Sequence, residues 1–304
     1  MKWWLVRCLV RGASLTREFR FSRRTRWQGL CASPVHVFVL STLLLGSVGG
    51  IAASASAQLE PPFDLNPTTQ EPAQLPRVPQ DFIARQVQQV TLSYHPQTQA
   101  IAERLAAKLP GLLRKVADEL RISPQQAVDV RVARGPREMA RLAPVGAPPP
   151  DYAVGVAYPA LGLVILSVVD PQSWFPPNLD HVLTHELSHV LLHRAVGGRP
   201  LPLWFVEGFA VHQAGEQRLG RIQTLWEAAV LDDVLSSHEL SHHFPSRPNQ
   251  VNLAYAESAD LVEHLLRGER DRARLGELLI AVKAGQSFEQ ALLSAYHIDL
   301  PYLE

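Results

Sequence analysis

Between positions 87 and 169, short runs of strand-like apolar pattern surround one long stretch of helical spacing, and beyond position 178 helical spacing takes over. The run 87–94, with Val87, Val90, Leu92 and Tyr94, predicts a strand. In 98–121 the residues Ile101, Leu105, Leu109, Leu112, Leu113, Val116 and Leu120 follow the helical period, with Pro110-Gly111 predicted to interrupt it. Positions 128–133 alternate apolar and polar and predict a second strand. A proline-rich loop at 144–150 precedes two apolar runs, 152–158 and 161–169, which the turn at Pro159-Ala160 makes into a predicted hairpin.

Within the helical part, Val182, Leu183, Leu187, Val190, Leu191 and Leu192 surround the pentad His185-Glu186-Leu187-Ser188-His189, so the pentad sits on a largely buried helix. Residues four apart on a helix share a face, and His185 and His189 can aim two imidazoles at one metal ion. Glu186 then lies beside the metal, where a carboxylate can accept a proton from water. Twelve histidines make a chance match rare but real, so context has to carry the assignment.

A catalytic zinc commonly takes three protein ligands and leaves a fourth position for water. A histidine ten residues after His185 with a glycine before it would supply the third ligand from the same segment, but those positions are Ala195 and Leu192. Glu207 is the better candidate: it lies on a second helical run, past the break Gly197-Gly198-Arg199-Pro200, with seventeen residues between it and His189.

H-E-L-S-H followed by Trp204-Phe205-Val206-Glu207-Gly208-Phe209-Ala210 resembles the gluzincin zinc peptidases, in particular the bacterial peptidase MA-like group with its W-x-x-E-G pattern. The resemblance covers about 150–265. It implies zinc on His185, His189 and Glu207, with Glu186 as general base. It also implies an α+β fold: a small mixed β-sheet with helices, then a mainly α-helical lobe, with the zincin-like active-site helix between them. In such families the strand before the motif helix borders the cleft and pairs with extended substrate. The hairpin 152–169 occupies that place, offering either a strand edge to a peptide backbone or simply core. Thermolysin-type relatives carry an acidic residue four positions after the ligand glutamate. Here that position is Val211, so support for the metal ligands falls to Asp180 or Glu257.

Tyr255 opens an apolar helix in Ala254-Tyr255-Ala256-Glu257-Ser258-Ala259. Its hydroxyl can hold the oxyanion formed when water attacks a carbonyl, and the matching segment of peptidase MA-like proteins also carries a tyrosine; a core tyrosine is the alternative. His181 and His193 continue the histidine face a turn to either side, as partners or surface residues rather than ligands. His238, His242 and His243 fall in an expected solvated loop, and Trp204 and Phe209 are expected to pack the core around Glu207.

Charge and cysteine usage narrow the picture. Of 29 basic and 29 acidic residues, eight basic and one acidic lie in 1–57, leaving 21 basic and 28 acidic side chains for the rest. That balance argues against nucleic acid as a partner. Both cysteines, Cys8 and Cys31, are in the leading segment, so the remainder has no thiolate ligand and its zinc must use histidine and carboxylate.

The leading segment 1–57 reads as a targeting signal. Arg17, Arg20, Arg23, Arg24 and Arg26 precede an uncharged run, 29–58, which ends on the small-x-small pattern Ala55-Ser56-Ala57 of a cleaved signal peptide. The other reading is an uncleaved anchor, with membrane association through 35–57. Ser22-Arg23-Arg24 is a fragment of a twin-arginine signal that Arg26-Trp27 does not continue, and the long basic part is consistent with a start placed too far upstream. Six prolines in 58–80 make an extended tether. Residues 81–304 form the metallopeptidase domain, either one domain or two closely packed lobes.

The expectation is thus an exported zinc peptidase acting on a peptide or protein. No acidic motif for binding a substrate amine is visible, and endo- and exopeptidase action stay open. Three other readings stand beside it: a non-catalytic scaffold of the same fold, a membrane-anchored quality-control component that depends on a partner, and a zinc hydrolase of non-peptide substrates.

Overall fold

Strand-forming runs and one long amphipathic helix pair off as two layers. The computed structural model describes residues 74–215, 237–242 and 248–300. The leading segment 1–57 and most of the tether, with His243, lie outside these residues. The strands are β1 (Ile83–Val87), β2 (Val90–Tyr94), β3 (Val128–Ala133), β4 (Gly155–Tyr158) and β5 (Leu163–Ser167). They form one mixed sheet in the order β1-β2-β3-β5-β4. The outer pairs are antiparallel, β2-β3 and β3-β5 are parallel, and β4 is an edge strand.

Two local expectations need correction. The run 87–94 is not one strand: Val87 ends β1, Gln88 turns at φ 55°, and β2 starts at Val90, paired with Val87. A turn made without glycine or asparagine carries no sequence mark. Pro110-Gly111 does not break the helix, since α1 (Gln99–Leu120) runs through it. Proline removes one backbone bond, but Leu105, Leu109, Leu113, Val116 and Leu120 are all buried on one face, and packing of that face carries the helix. The strand at 128–133 and the hairpin are present as expected, with the hairpin strands shortened to β4 and β5 around a single turn of 3₁₀ helix at Pro159–Leu161.

Side-chain alternation splits the sheet between two cores. Val128, Val130 and Val132 of β3, Val164 and Leu166 of β5, and Ala157 of β4 face the large core shared with the helices. Ala133, Val156, Tyr158, Leu163 and Ile165 face a smaller one closed by Met139 and Leu142 of α2 (Pro136–Leu142). On the first side lies α3 (Leu179–Ala195), which carries the histidine pentad and packs on α1, β4 and β5. Next come α4 (Leu203–Ala214), α5 (Ser237–His242), α6 (Pro248–Leu265), α7 (Glu269–Lys283) and α8 (Phe288–Tyr296). This is the expected α+β order of sheet, motif helix and helical lobe. Among the described residues no helix is long and apolar enough to cross a membrane.

Candidate metal centre

α3 and α4 are buried helices whose ends are closed chemically. Asn178 caps α3 by accepting the His181 backbone N–H, and Asp180 in the first turn pairs with Lys108 of α1. Gly197 and Gly198, both at positive φ, reverse the chain after α3, and the Gly198 N–H returns to the His193 carbonyl at 2.8 Å. The chain enters α4 through Pro200 and Pro202 and leaves it at Gly215, φ 71°. Lys115 of α1 donates to the Gln213 carbonyl in the last turn of α4. Lys108 and Lys115, two turns apart on α1, therefore tie both helices to a common neighbour.

The two helices bring three side chains together. His185 Nε2 lies 3.5 Å from Glu207 Oε2, and His189 Nε2 lies 3.8 Å from the same oxygen. The two imidazole rings meet edge to face with centroids 4.8 Å apart. One ligand atom from each residue falls within 4.8 Å of the others, and no other group of described residues does the same. In a tetrahedral zinc site with ligands at 2.0–2.1 Å, neighbouring ligand atoms stand about 3.3 Å apart. The two histidine–glutamate spacings are slightly wider and the group as a whole spans 4.8 Å, so the three residues fit such an ion once they close inward on it. Their side chains keep 17, 13 and 14% exposure, so the group is not sealed from solvent.

Protonation suits a cation. Burial lowers the His189 imidazole to about 4, against the opposing pull of Glu207, so it is neutral at neutral pH with a free nitrogen lone pair. Burial alone would raise the Glu207 carboxyl, but the facing imidazoles of His189 and His185, the latter through a hydrogen bond, hold it below its ordinary value, and the carboxyl stays ionised.

Glu186 is buried at 8% exposure, and its carboxylate lies against the edge strand β4. Its neighbour there is Gly155, which opens β4: a Cβ on that glycine would stand 2.6 Å from Glu186 Oε1. Tyr158, at the end of the same strand, donates its hydroxyl to the Ala147 carbonyl at 2.6 Å, and burial together with the Glu186 charge raises its pKa. Sequence reasoning missed Gly155. The signal was a lone glycine inside a strand-like run, which marks a close approach of another group.

The remaining candidates divide. Tyr255 is partly buried on α6, and Glu257 is buried two positions on. Asp180, the other carboxylate considered as support for the ligands, is engaged by Lys108. His193 packs its ring over Gly198, and neither it nor His181 joins the three-residue group. His238 and His242 stand on the short helix α5 rather than in a loop. Trp204 and Phe209 are fully buried, as expected, in an aromatic group with Phe205 and Phe288 that fixes α4 around Glu207.

The family model for the Peptidase MA superfamily matches residues 110–304. No curated protein matches the chain. Among solved structures, yeast LTA4 hydrolase in complex with bestatin is 14% identical with a TM-score of 0.44, over 71% of this chain and 36% of that one. An M1 zinc metallopeptidase from Deinococcus radiodurans is 19% identical with a TM-score of 0.37, over 70% and 46%. An aminopeptidase N family protein from Idiomarina loihiensis is 14% identical with a TM-score of 0.38, over 69% and 43%. The chain thus spans less than half the length of each.

Proposed function

The chain belongs to the Peptidase MA superfamily, and from that premise we propose that it is a gluzincin-type zinc peptidase hydrolysing peptide bonds in a peptide or protein substrate. Family membership supports a zinc peptidase in general. The finer reading is carried by one observation: His185, His189 and Glu207 converge within 4.8 Å, and Glu186, next to His185 on α3, lies against the edge strand β4.

His185, His189 and Glu207 would hold the ion. When bound, zinc supplies Lewis acidity that lowers the pKa of a water toward ~7 and offsets negative charge on the substrate carbonyl oxygen. Glu186 takes a proton from the attacking water and passes it to the leaving amine. Tyr255 donates its hydroxyl to the developing oxyanion. The free edge of β4 receives the extended substrate backbone. The uncharged run 29–58 supports export, by a cleaved signal peptide or a retained anchor, and mass spectrometry of the mature N-terminus separates the two.

Zinc content and hydrolysis of a fluorogenic peptide library test the assignment in wild type, Glu186→Gln and Glu207→Ala. Glu186→Gln should keep zinc and lose activity by at least ~10²-fold. Glu207→Ala should lose zinc, and wild-type affinity for the metal in that variant would remove Glu207 from the ligand set.

A further inference from the structure

Along β4, Val156 and Tyr158 face the smaller core, so Gly155 and Ala157 face α3, and both positions against the motif helix carry minimal side chains. Gly155 does not have the positive φ at which glycine is favoured, so what demands glycine there is space. A methyl group on it would stand 2.5 Å from Val182 Cγ1, 2.6 Å from Glu186 Oε1 and 3.0 Å from Glu186 Cγ.

The surroundings decide what would yield. β4 is held by its ladder with β5, where Gly155 pairs with Leu166. α3 is held at its far end by Arg194, which donates to the Gln126 and Ala127 carbonyls at 3.2 and 2.6 Å. Val182 is β-branched on a helix and has little χ1 freedom. The Glu186 carboxylate ends a flexible side chain and is the part that moves most cheaply. A methyl group at position 155 would therefore meet a stiff obstacle in Val182, at a cost in stability, and a movable one in Glu186, displacing the group read above as the general base.

We infer that Gly155 is a positioning residue for the reaction: its bare Cα seats the Glu186 carboxylate against the backbone of β4, which sets the base at a fixed distance from the edge that receives substrate. The inference rests on the reading of Glu186 as the base.

The test compares full-length, zinc-loaded wild type, Gly155→Ala, Val182→Ala, the double variant and Glu186→Gln. Each is assayed for kcat and KM on a fluorogenic peptide that the wild type cleaves, for zinc content, and by crystallography. Gly155→Ala should lose kcat on the order of 100-fold, as a misplacement of about 1 Å does, with KM and zinc content unchanged. Its structure should show the Glu186 carboxylate turned away from β4. Adding Val182→Ala relieves the other clash, so the double variant should regain thermal stability without regaining kcat; it also carries the test if Gly155→Ala folds poorly. Wild-type kcat in Gly155→Ala, recovery of kcat in the double variant, or an unmoved carboxylate would each overturn the inference. An active Glu186→Gln would instead remove the base assignment itself, whereas an inactive Glu186→Gln beside a fully active Gly155→Ala defeats the positioning role alone.

Discussion

A Cβ on Gly208 of α4 would stand 2.1 Å from the Ser258 carbonyl oxygen of α6 and 2.5 Å from its carbonyl carbon. Both obstacles are backbone, so no rotamer change relieves them, and the two helices cross this closely only because position 208 has no side chain. Glu207 is the adjacent residue, and the crossing sets how far it reaches toward His185 and His189. Gly208→Ala should push the helices apart at a cost of about 1–3 kcal/mol, the usual penalty of overpacking. Zinc content should fall with the thermal midpoint. A variant with wild-type midpoint and zinc would mean the crossing does not position Glu207.

Tyr255 is three residues before Ser258 on α6, partly buried against the large core. If its hydroxyl meets the oxyanion, Tyr255→Phe removes one donor that matters mainly in the transition state. Loss of such a donor costs about 10²–10³-fold in kcat. KM and zinc content should stay near wild type. Equal activity in Tyr255→Phe and wild type would leave the ring as packing alone.

The parts of the site that were legible are those where chemistry imposes a spacing. His185, Glu186 and His189 lie within five residues on one helix, and Glu207 follows in a recognisable W-x-x-E-G context. The residues that hold them were harder to read because their reasons are three-dimensional. Gly155 looks like any glycine until α3 is laid against β4, and Gly208 belongs to a motif whose crowding comes from a helix fifty residues downstream. Likewise β3 alternates Val128, Val130 and Val132 with Asp129 and Arg131, a pattern that ordinarily leaves the polar face in water. Here that face is covered, and Arg131 is among the most buried side chains described.

Arg131 satisfies its guanidinium without solvent. It donates to Asp129 Oδ2 at 2.8 and 3.2 Å, to the Leu142 carbonyl at 3.1 Å and to the Pro76 carbonyl at 2.7 Å. One side chain thus joins β3, the end of α2 and the chain leading into β1. Arg131→Ala should destabilise by about 3–5 kcal/mol, because Asp129 is left as an uncompensated charge in a covered position. Replacing both partners, Arg131→Met with Asp129→Leu, should recover most of that stability while still exposing the segment around Pro76 to limited proteolysis. Chemical denaturation and the cleavage pattern separate the two effects, and an undiminished midpoint in Arg131→Ala would show that the ion pair is dispensable.

Glu138 of α2 gives the fold an acid-sensitive joint. It accepts the Arg134 backbone N–H at 2.7 Å and the Arg134 Nε at 3.0 Å, closing the turn between β3 and α2. Burial pushes its carboxyl up, but the Arg134 hydrogen bonds and charge, with a contribution from His95, bring it below its ordinary value. Since the folded pKa is the lower one, the unfolded chain takes up the proton first as pH falls. The stabilisation is then complete above the unfolded value of about 4.3 and disappears as pH drops through the folded value. Glu138→Gln keeps the shape and removes the charge. Wild type should therefore exceed the variant in urea midpoint at pH 7 and 5, with the gap closing as pH falls below about 4.3. A gap of constant size across that range would assign Glu138 a packing role rather than an electrostatic one.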